Sequence, residues 1–527
     1  MPKITMDNKE VTVPTGATVL DAAAAAGIEI PTLCFLEGCA AETSCMVCVV
    51  EVQGRSGLVP ACATQVEDGM VVTSDADHVH EARKAAVELL LSDHLGDCIA
   101  PCQVACPCGM NIPQMIRQIR GDAPGRAIET VKARIAFPGV LGRLCHAPCE
   151  KACRRGHADA PLSVCLLKRH VADVDLTSGE PFLPEKAADT GKHVAIIGAG
   201  PAGLTAAYYL LGMGHACTIH DENDKPGGML RRAVEPDRLG PDVLDAEIEI
   251  VRRLGAEFEF GRRIEGRALL HLRSESDAVL LATGDLDEGG GDYLGVALTD
   301  SGIEVKRRTY ETSEAGVFAV GSAVRATKRS VQTIGAARAA AVAIGQYLAA
   351  QAVVGEAREF STHIGKPLEG EMEAFLAEGS DAPRVEPLAG HQGGLSEAEA
   401  VTEAARCLHC DCRAVDDCRL REAAAACGAR AGRYKADARG PFEQEARHDL
   451  VIFEPGKCIK CGLCLQVARR SGETLGLTFI GRGFDVRVGV PFHEPLSAAL
   501  ATAAADCAAA CPTGALALKD DVACRQT

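Results

Sequence analysis

Hydrophobic and polar positions change their period several times along the 527 residues, and the changes divide the chain. The opening MPKITMDNKEVTVPTGATVLDAAAAAGI predicts two short strands, a turn at Thr15-Gly16 and an alanine-rich helix. A helical stretch from about His80 to Leu95 leads into a cysteine-rich segment reaching Cys165. Residues 175 to 192 are polar and aperiodic, which predicts a linker. The run HVAIIGAGPAGLTAAYYLL then reads as an apolar strand, a glycine turn and a helix, the start of a nucleotide-binding βαβ unit whose pattern continues to about Leu348. From Ala349 to Ala405 the chain is polar and irregular, then helical. Cysteine clusters follow from Cys407 and again after Leu450. These shifts predict domains at 1–78, 79–175, 190–350 and 447–527, with 351–446 a linker that carries a cysteine motif.

Composition adds one decisive fact: 25 cysteines and no tryptophan. No secretory h-region precedes the polar start and no run of about 18 apolar residues appears, so the expected location is the cytoplasm. In a reducing compartment closely spaced cysteines hold metal more often than they form disulfides. A net charge of −17 argues against nucleic acid and anionic membrane surfaces and leaves protein partners open.

Cys34, Cys45, Cys48 and Cys62 have ten, two and thirteen residues between them, a spacing that wraps four thiolates around a two-iron cluster on β-grasp loops. Core packing gives buried thiols no reason to recur this way. Cys39 falls outside the pattern. Together with LLLSDHLGDC, this region resembles the N-terminal part of the large iron-sulfur subunit of complex I and related hydrogenase and formate dehydrogenase subunits. The resemblance implies that His94, four residues before Cys98, ligates the next cluster.

Cys98, Cys102 and Cys106 recur every fourth residue, as do Cys145, Cys149 and Cys153; with Cys108 and Cys165 they make eight thiols, enough for two cubanes. The motif resembles the helical domain of the glutamate synthase small subunit, shared with dihydropyrimidine dehydrogenase and NADPH-dependent ferredoxin oxidoreductases. Carried over, it assigns Cys98, Cys102 and Cys153 to one cluster, with His94 as a candidate fourth ligand, and Cys106, Cys145 and Cys149 to the other. That family uses a glutamate or glutamine near the position held here by Lys168, which cannot ligate iron at neutral pH; Cys165 or Cys108 is then the fourth ligand.

Gly198, Gly200 and Gly203 form GxGxxG between strand and helix, and Asp221 ends the next strand, the arrangement that seats a pyrophosphate on a helix N-terminus and a ribose on an acid. Gly227, Gly228, Met229, Leu230 and Arg231, then Ala282, Thr283 and Gly284, then Gly321 and Ser322 resemble the FAD-contacting motifs of the glutamate synthase small subunit. Ser322 stands where that family has an aspartate. Relatives that use NAD(P)H carry a second nucleotide domain between the last two motifs, whereas only 31 residues separate Gly284 from Gly316. A βαβ unit needs about 30 residues by itself. The Gly289-Gly290-Gly291 run reads as a turn, and the nicotinamide domain is expected to be deleted.

Cys407, Cys410, Cys412 and Cys418 lie within twelve residues and suit one cubane, with zinc the competitor. Cys458, Cys461 and Cys464 have bacterial ferredoxin spacing, with Cys511, or Cys507 in reserve, as the distant fourth ligand. Cys217, Cys427 and Cys524 read as ordinary thiols.

The expected fold is multidomain α+β and α/β: an N-terminal β-grasp [2Fe-2S] ferredoxin, a helical double-[4Fe-4S] domain, an FAD-binding Rossmann-like domain without the NAD(P)H domain, and a C-terminal ferredoxin-like [4Fe-4S] region. The expected cofactors are one FAD, one [2Fe-2S] cluster and about four [4Fe-4S] clusters. No catalytic residue set is evident. The expected function is electron relay within a larger anaerobic oxidoreductase, between hydrogenase-, formate dehydrogenase- or NADH-oxidising-type subunits and with ferredoxin as a further partner. The alternatives are a self-contained NAD(P)H-dependent reductase of the glutamate synthase type and a cluster-bearing scaffold.

Overall fold

The computed structural model describes residues 1–286, 294–327, 329–434 and 439–519. It forms two compact units, each discontinuous in sequence. The first comprises Met1–Ala100, Glu359–Glu378 and Leu408–Thr527, the second Pro101–Arg358 and Gly379–Cys407. The second unit is thus inserted into the first, a departure from contiguous domains that a reading along the chain cannot detect. The 351–446 stretch expected as one linker is shared between the two.

In the first unit the hairpin Lys3–Met6/Lys9–Thr12 turns at Asp7 and Asn8, both in the left-handed region with φ of 46° and 67°. Val71–Thr73 pairs parallel to the first of these strands and antiparallel to Val49–Val52, and Leu58–Pro60 closes a five-stranded sheet. Alternation along the strands sends Ile4, Met6, Val50, Val52 and Val72 into one core with Val19, Ala22 and Ala23 of helix Val19–Ala25. That helix starts where Thr18 and Asp21 form a capping box. The long helix expected near His80–Leu95 spans Asp77–Ser92. The C-terminal part pairs Val451–Phe453 with Leu516–Leu518 and Thr478–Ile480 with Arg487–Gly489, around helices Leu463–Arg470 and Ala504–Ala510.

The second unit begins with short helices, among them Ile112–Arg120, Pro124–Lys132, Pro138–Leu144 and Val164–Thr177, three of them opened by proline at the first or second position, where no N–H is needed. A five-stranded, all-parallel sheet follows, in the order Val317–Ala319, Ala278–Leu281, His193–Ile197, Ala216–His220, Glu257–Glu259. Helices Pro201–Gly212 and Ser330–Leu348 cover it, and their apolar residues run into one core with the cysteine-bearing helices. Between the strands ending at Leu281 and starting at Val317, the described residues hold a two-stranded hairpin, Leu298–Thr299 with Gly302–Ile303. The Gly289–Gly291 run lies outside the described residues. Among the described residues no helix is long and apolar enough to cross a membrane.

Candidate iron-sulfur and nucleotide sites

Loops of the N-terminal sheet bring Cys34, Cys45, Cys48 and Cys62 together, each 4% exposed or less. The sulfurs approach in two pairs, Cys34 with Cys45 at 3.3 Å and Cys48 with Cys62 at 3.5 Å. Hydrogen bonding with Cys45 and Cys62 holds the Cys34 thiol far below its usual range, while the same contacts push Cys45 and Cys62 up. Four buried sulfurs drawn together in two close pairs fit a two-iron centre. Cys39 stands apart, in contact with the Arg470 guanidinium at 3.1 Å.

The same unit gathers Cys458, Cys461, Cys464 and Cys511, whose charges bear on one another. Burial pushes Cys458 up to about 11 and Cys461 up to about 12. The backbone N–H of Lys460 donates to the Cys458 sulfur at 3.4 Å and that of Leu516 to Cys511 at 3.5 Å. The Lys460 amide favours thiolate at Cys458. Cys507 differs: its thiol donates to the Cys464 carbonyl at 3.4 Å, as a structural S–H does. Cys461 also feels the charge of Cys34, so this group adjoins the N-terminal one. The link is reinforced by Gln466, which receives the Ala40 N–H at 2.9 Å and donates to the Ala40 carbonyl at 3.0 Å.

A third group in this unit differs from the sequence grouping. Cys98 lies beside Cys412, whose N–H donates to the Cys98 carbonyl at 3.2 Å, and both bear electrostatically on Cys418. Thr362 donates its N–H to the Cys98 sulfur at 3.4 Å. His94 is half-buried, held down to about 4 by burial and by the nearby Lys457 ammonium, and its buried Nδ1 has no hydrogen-bond partner. A neutral imidazole with an orphaned ring nitrogen and three thiols is a fitting cluster donor set. Cys410 belongs to this unit too, packed against the small core of Leu95, Ile364, Phe375, Leu408 and Phe442. Cys407 belongs to the second unit. Cys102 and Cys153 belong to the second unit as well.

In the second unit Cys106, Cys145, Cys149 and Cys165 surround Lys168. The Ala147 N–H donates to the Cys145 sulfur at 3.4 Å, and the Lys168 amine to the Cys165 sulfur at 3.8 Å. The Cys165 thiol drives Cys145 downward, and burial pushes Cys149 up to about 12. Cys108 is buried beside Cys106, with its thiol 3.5 Å from the Val331 carbonyl. The loop approaches helix Ser330–Leu348 at Gly335, where a Cβ would stand 2.6 Å from the Pro107 carbonyl oxygen. Cys217 is buried in its strand, Cys427 donates to its own helix, and Cys524 lies outside the described residues.

The glycine fingerprint is sterically demanded. A Cβ on Gly198, at φ 114°, would lie 2.2 Å from the Ala282 carbonyl oxygen, and one on Gly203 2.0 Å from the Gly198 carbonyl oxygen. Gly228, at φ 52°, faces Gly200 so closely that its Cβ would stand 2.8 Å from the Gly200 Cα. The motif Gly227-Gly228-Met229-Leu230-Arg231 is thereby set against the N-terminus of helix Pro201–Gly212, a ready anion site. Arg231 donates to the Pro226 carbonyl at 2.8 Å; Met229 is exposed and Leu230 buried. Asp221 accepts the Ala199 N–H at 2.6 Å and the Asn223 N–H at 2.8 Å, so its carboxylate also ties the phosphate turn to the second strand. Ala282, Thr283 and Gly284 follow the strand Ala278–Leu281, next to the central one, and Gly284 has open space on its Cβ side. Gly321 and Ser322 start a short 3-10 turn, with Gly321 against Ala202. A bare cradle of this kind fits a dinucleotide.

Family models match along the same divisions: a 2Fe-2S iron-sulfur cluster binding domain over residues 2–77, dihydropyrimidine dehydrogenase domain II with a 4Fe-4S cluster over 80–180, and an NAD(P)-binding Rossmann-like domain over 196–255. The chain is 37% identical over 225 residues to the NADP(+)-dependent formate dehydrogenase subunit beta of Moorella thermoacetica, covering 38% of this chain and 31% of that one. Its homologues are oxidoreductase subunits. It is similar to the NAD-dependent dihydropyrimidine dehydrogenase subunit PreT of Escherichia coli, 33% identical over 41% of this chain and 53% of the relative. It is also similar to the glutamate synthase [NADPH] small chain of Mycobacterium tuberculosis, 36% identical over 36% of this chain and 39% of the relative. The matched part thus spans 31% to 53% of these relatives' length. The chain is a multidomain protein with ferredoxin-type [2Fe-2S], [4Fe-4S] and Rossmann-like nucleotide-binding domains.

Proposed function

We propose that this chain is an iron-sulfur flavoprotein subunit that relays electrons within a multisubunit oxidoreductase whose substrate site lies on a partner. The observation that carries the reading is the gathering of buried thiols into separate groups within each unit, two of them adjoining through Cys34 and Cys461. When bound, clusters supply one-electron transfer, and a flavin exchanges two-electron for one-electron chemistry.

The residues divide the labour. Cys34, Cys45, Cys48 and Cys62 hold the [2Fe-2S] centre. Cys458, Cys461, Cys464 and Cys511 hold one cubane; His94, Cys98, Cys412 and Cys418 hold another, in place of the sequence grouping; and Cys106, Cys145, Cys149 and Cys165 hold a third. Cys102, Cys153 and Cys407, all of the second unit, remain as candidate ligands of the fourth. Gly198, Gly200, Gly203, Gly227, Gly228 and Asp221 seat the pyrophosphate and ribose of FAD. The short hairpin-bearing connection between Leu281 and Val317 favours a relay over a self-contained NAD(P)H reductase, because it leaves no room for a second nucleotide domain there.

The test is anaerobic purification of the full chain, quantification of iron and flavin, and addition of NADH or NADPH. About 18 iron atoms and one FAD per chain, with no bleaching by either nucleotide, is the expected result. Rapid bleaching would overturn the relay in favour of a dehydrogenase active by itself.

A further inference from the structure

Three lysines of the described chain are buried: Lys132 at 1% exposure, Lys457 at 2% and Lys168 at 5%. Two have carboxylate partners. Lys132 pairs with Asp175 at 2.5 Å, and Lys457 with Glu454. Lys168 differs, because among the described residues its amine donates only to the Cys165 sulfur, at 3.8 Å. Glu150, whose charge bears on Cys165, is already engaged: one oxygen accepts the Cys165 N–H at 2.9 Å and the other pairs with Arg384 at 3.1 Å. An isolated buried ammonium is strongly disfavoured unless a compensating negative charge stands beside it. Around Lys168 the groups that can carry such charge are the thiols of Cys106, Cys145, Cys149 and Cys165.

We infer that Lys168 is a fixed cation built against the cluster site of Cys106, Cys145, Cys149 and Cys165, and that it raises the reduction potential of that site. The inference rests on the cluster assignment proposed above. A thiolate-ligated cluster is anionic and gains one further negative charge when it accepts one electron, with no bond made or broken at the lysine. An adjacent ammonium in a low-dielectric interior stabilises the reduced state more than the oxidised one. Lysine suits this role because its charge sits at a compact tip that the helix Val164–Thr177 delivers one turn beyond Cys165. This site then acts as the electron-accepting member of the second unit's clusters, set by a residue that is not itself a ligand.

The test uses the anaerobically purified full chain as wild type, Lys168→Met, Lys168→Gln and Lys168→Arg, with iron content and EPR-monitored potentiometric titration as readouts. Met and Gln remove the charge while keeping length or polarity, and Arg keeps the charge. Full iron content, with one cubane signal made at least tenfold harder to reduce in Met or Gln, about 59 mV for one electron, and restored in Arg, is the expected result. An unchanged potential in an iron-replete Met or Gln variant would overturn the inference and leave the cluster assignment standing. Loss of the cluster from both neutral variants would overturn it as well, since the lysine would then serve assembly. A wild-type chain with no cubane signal attributable to these cysteines would instead sink the assignment itself.

Discussion

Charge buried with its counter-charge is a recurring device at the residue scale, and Lys132 with Asp175 shows what it does. Lys132 Nζ also donates to the Phe182 carbonyl at 3.0 Å, and the other Asp175 oxygen accepts the Phe182 N–H at 2.7 Å, so the pair pins the segment after helix Val164–Thr177. Replacing both partners by apolar groups of similar volume would cost little, whereas removing one leaves a bare charge in the interior. Asp175→Ala is expected to destabilise the second unit by about 3–5 kcal/mol, read as a lower denaturant midpoint with an unchanged slope. A shift below about 1 kcal/mol would mean that water reaches Lys132. Neither partner announces itself in the sequence, where a lysine and an aspartate 43 positions apart look like ordinary surface residues.

At the scale of elements, the short helix Pro138–Leu144 is joined to helix Pro241–Arg253 by one side chain. Both Glu247 oxygens accept helix N-terminal amides, from Gly139 at 2.7 Å and Val140 at 2.9 Å. These donors and the positive helix end favour the carboxylate. Complete burial outweighs them and pushes Glu247 up to about 7, from the ordinary 4.5. The native state therefore binds this proton more tightly than the unfolded chain. Stability from this group is full below about pH 4.5 and is lost as pH rises through about 7. The loss amounts to about 3 kcal/mol. Glu247→Gln is expected to flatten the stability profile across that window, measured by chemical denaturation at several pH values. A slope that survives the substitution would place its origin elsewhere. The same elements show why glycine spacing was legible: Gly198 and Gly203 are required by local backbone approach within one strand-turn-helix, a short-range constraint that leaves a short-range motif.

At the scale of the whole molecule, the first unit is discontinuous along the chain, so cysteines far apart in sequence become neighbours within it. Cys98 is the last cysteine before the second unit begins, and Cys412 and Cys418 come just after it ends. If they hold one cluster, Cys98→Ala and Cys418→Ala each lower the iron content by about four atoms per chain, and the double variant loses no more than either single one. Additive losses would assign them to different centres. Such non-additivity is the signature of residues acting as a unit.

Much of this protein follows from its sequence taken alone. Close cysteine spacings specify which loops can wrap a cluster, and a glycine turn between an apolar strand and a helix specifies a phosphate seat. Both are dictated by covalent reach over a few residues. The two-strand start, the long helix beginning at Asp77 and the Rossmann strands are likewise written in hydrophobic period. Only the tertiary structure decides that Cys98 meets Cys412, that Cys511 and not Cys507 offers its sulfur to a backbone amide, and that Lys168 is buried among thiols with, among the described residues, no carboxylate bonded to its amine. The physical reason is the same in each case. Ligand pairing and charge compensation depend on distances through space, and the insertion of one unit into another makes those distances independent of separation along the chain.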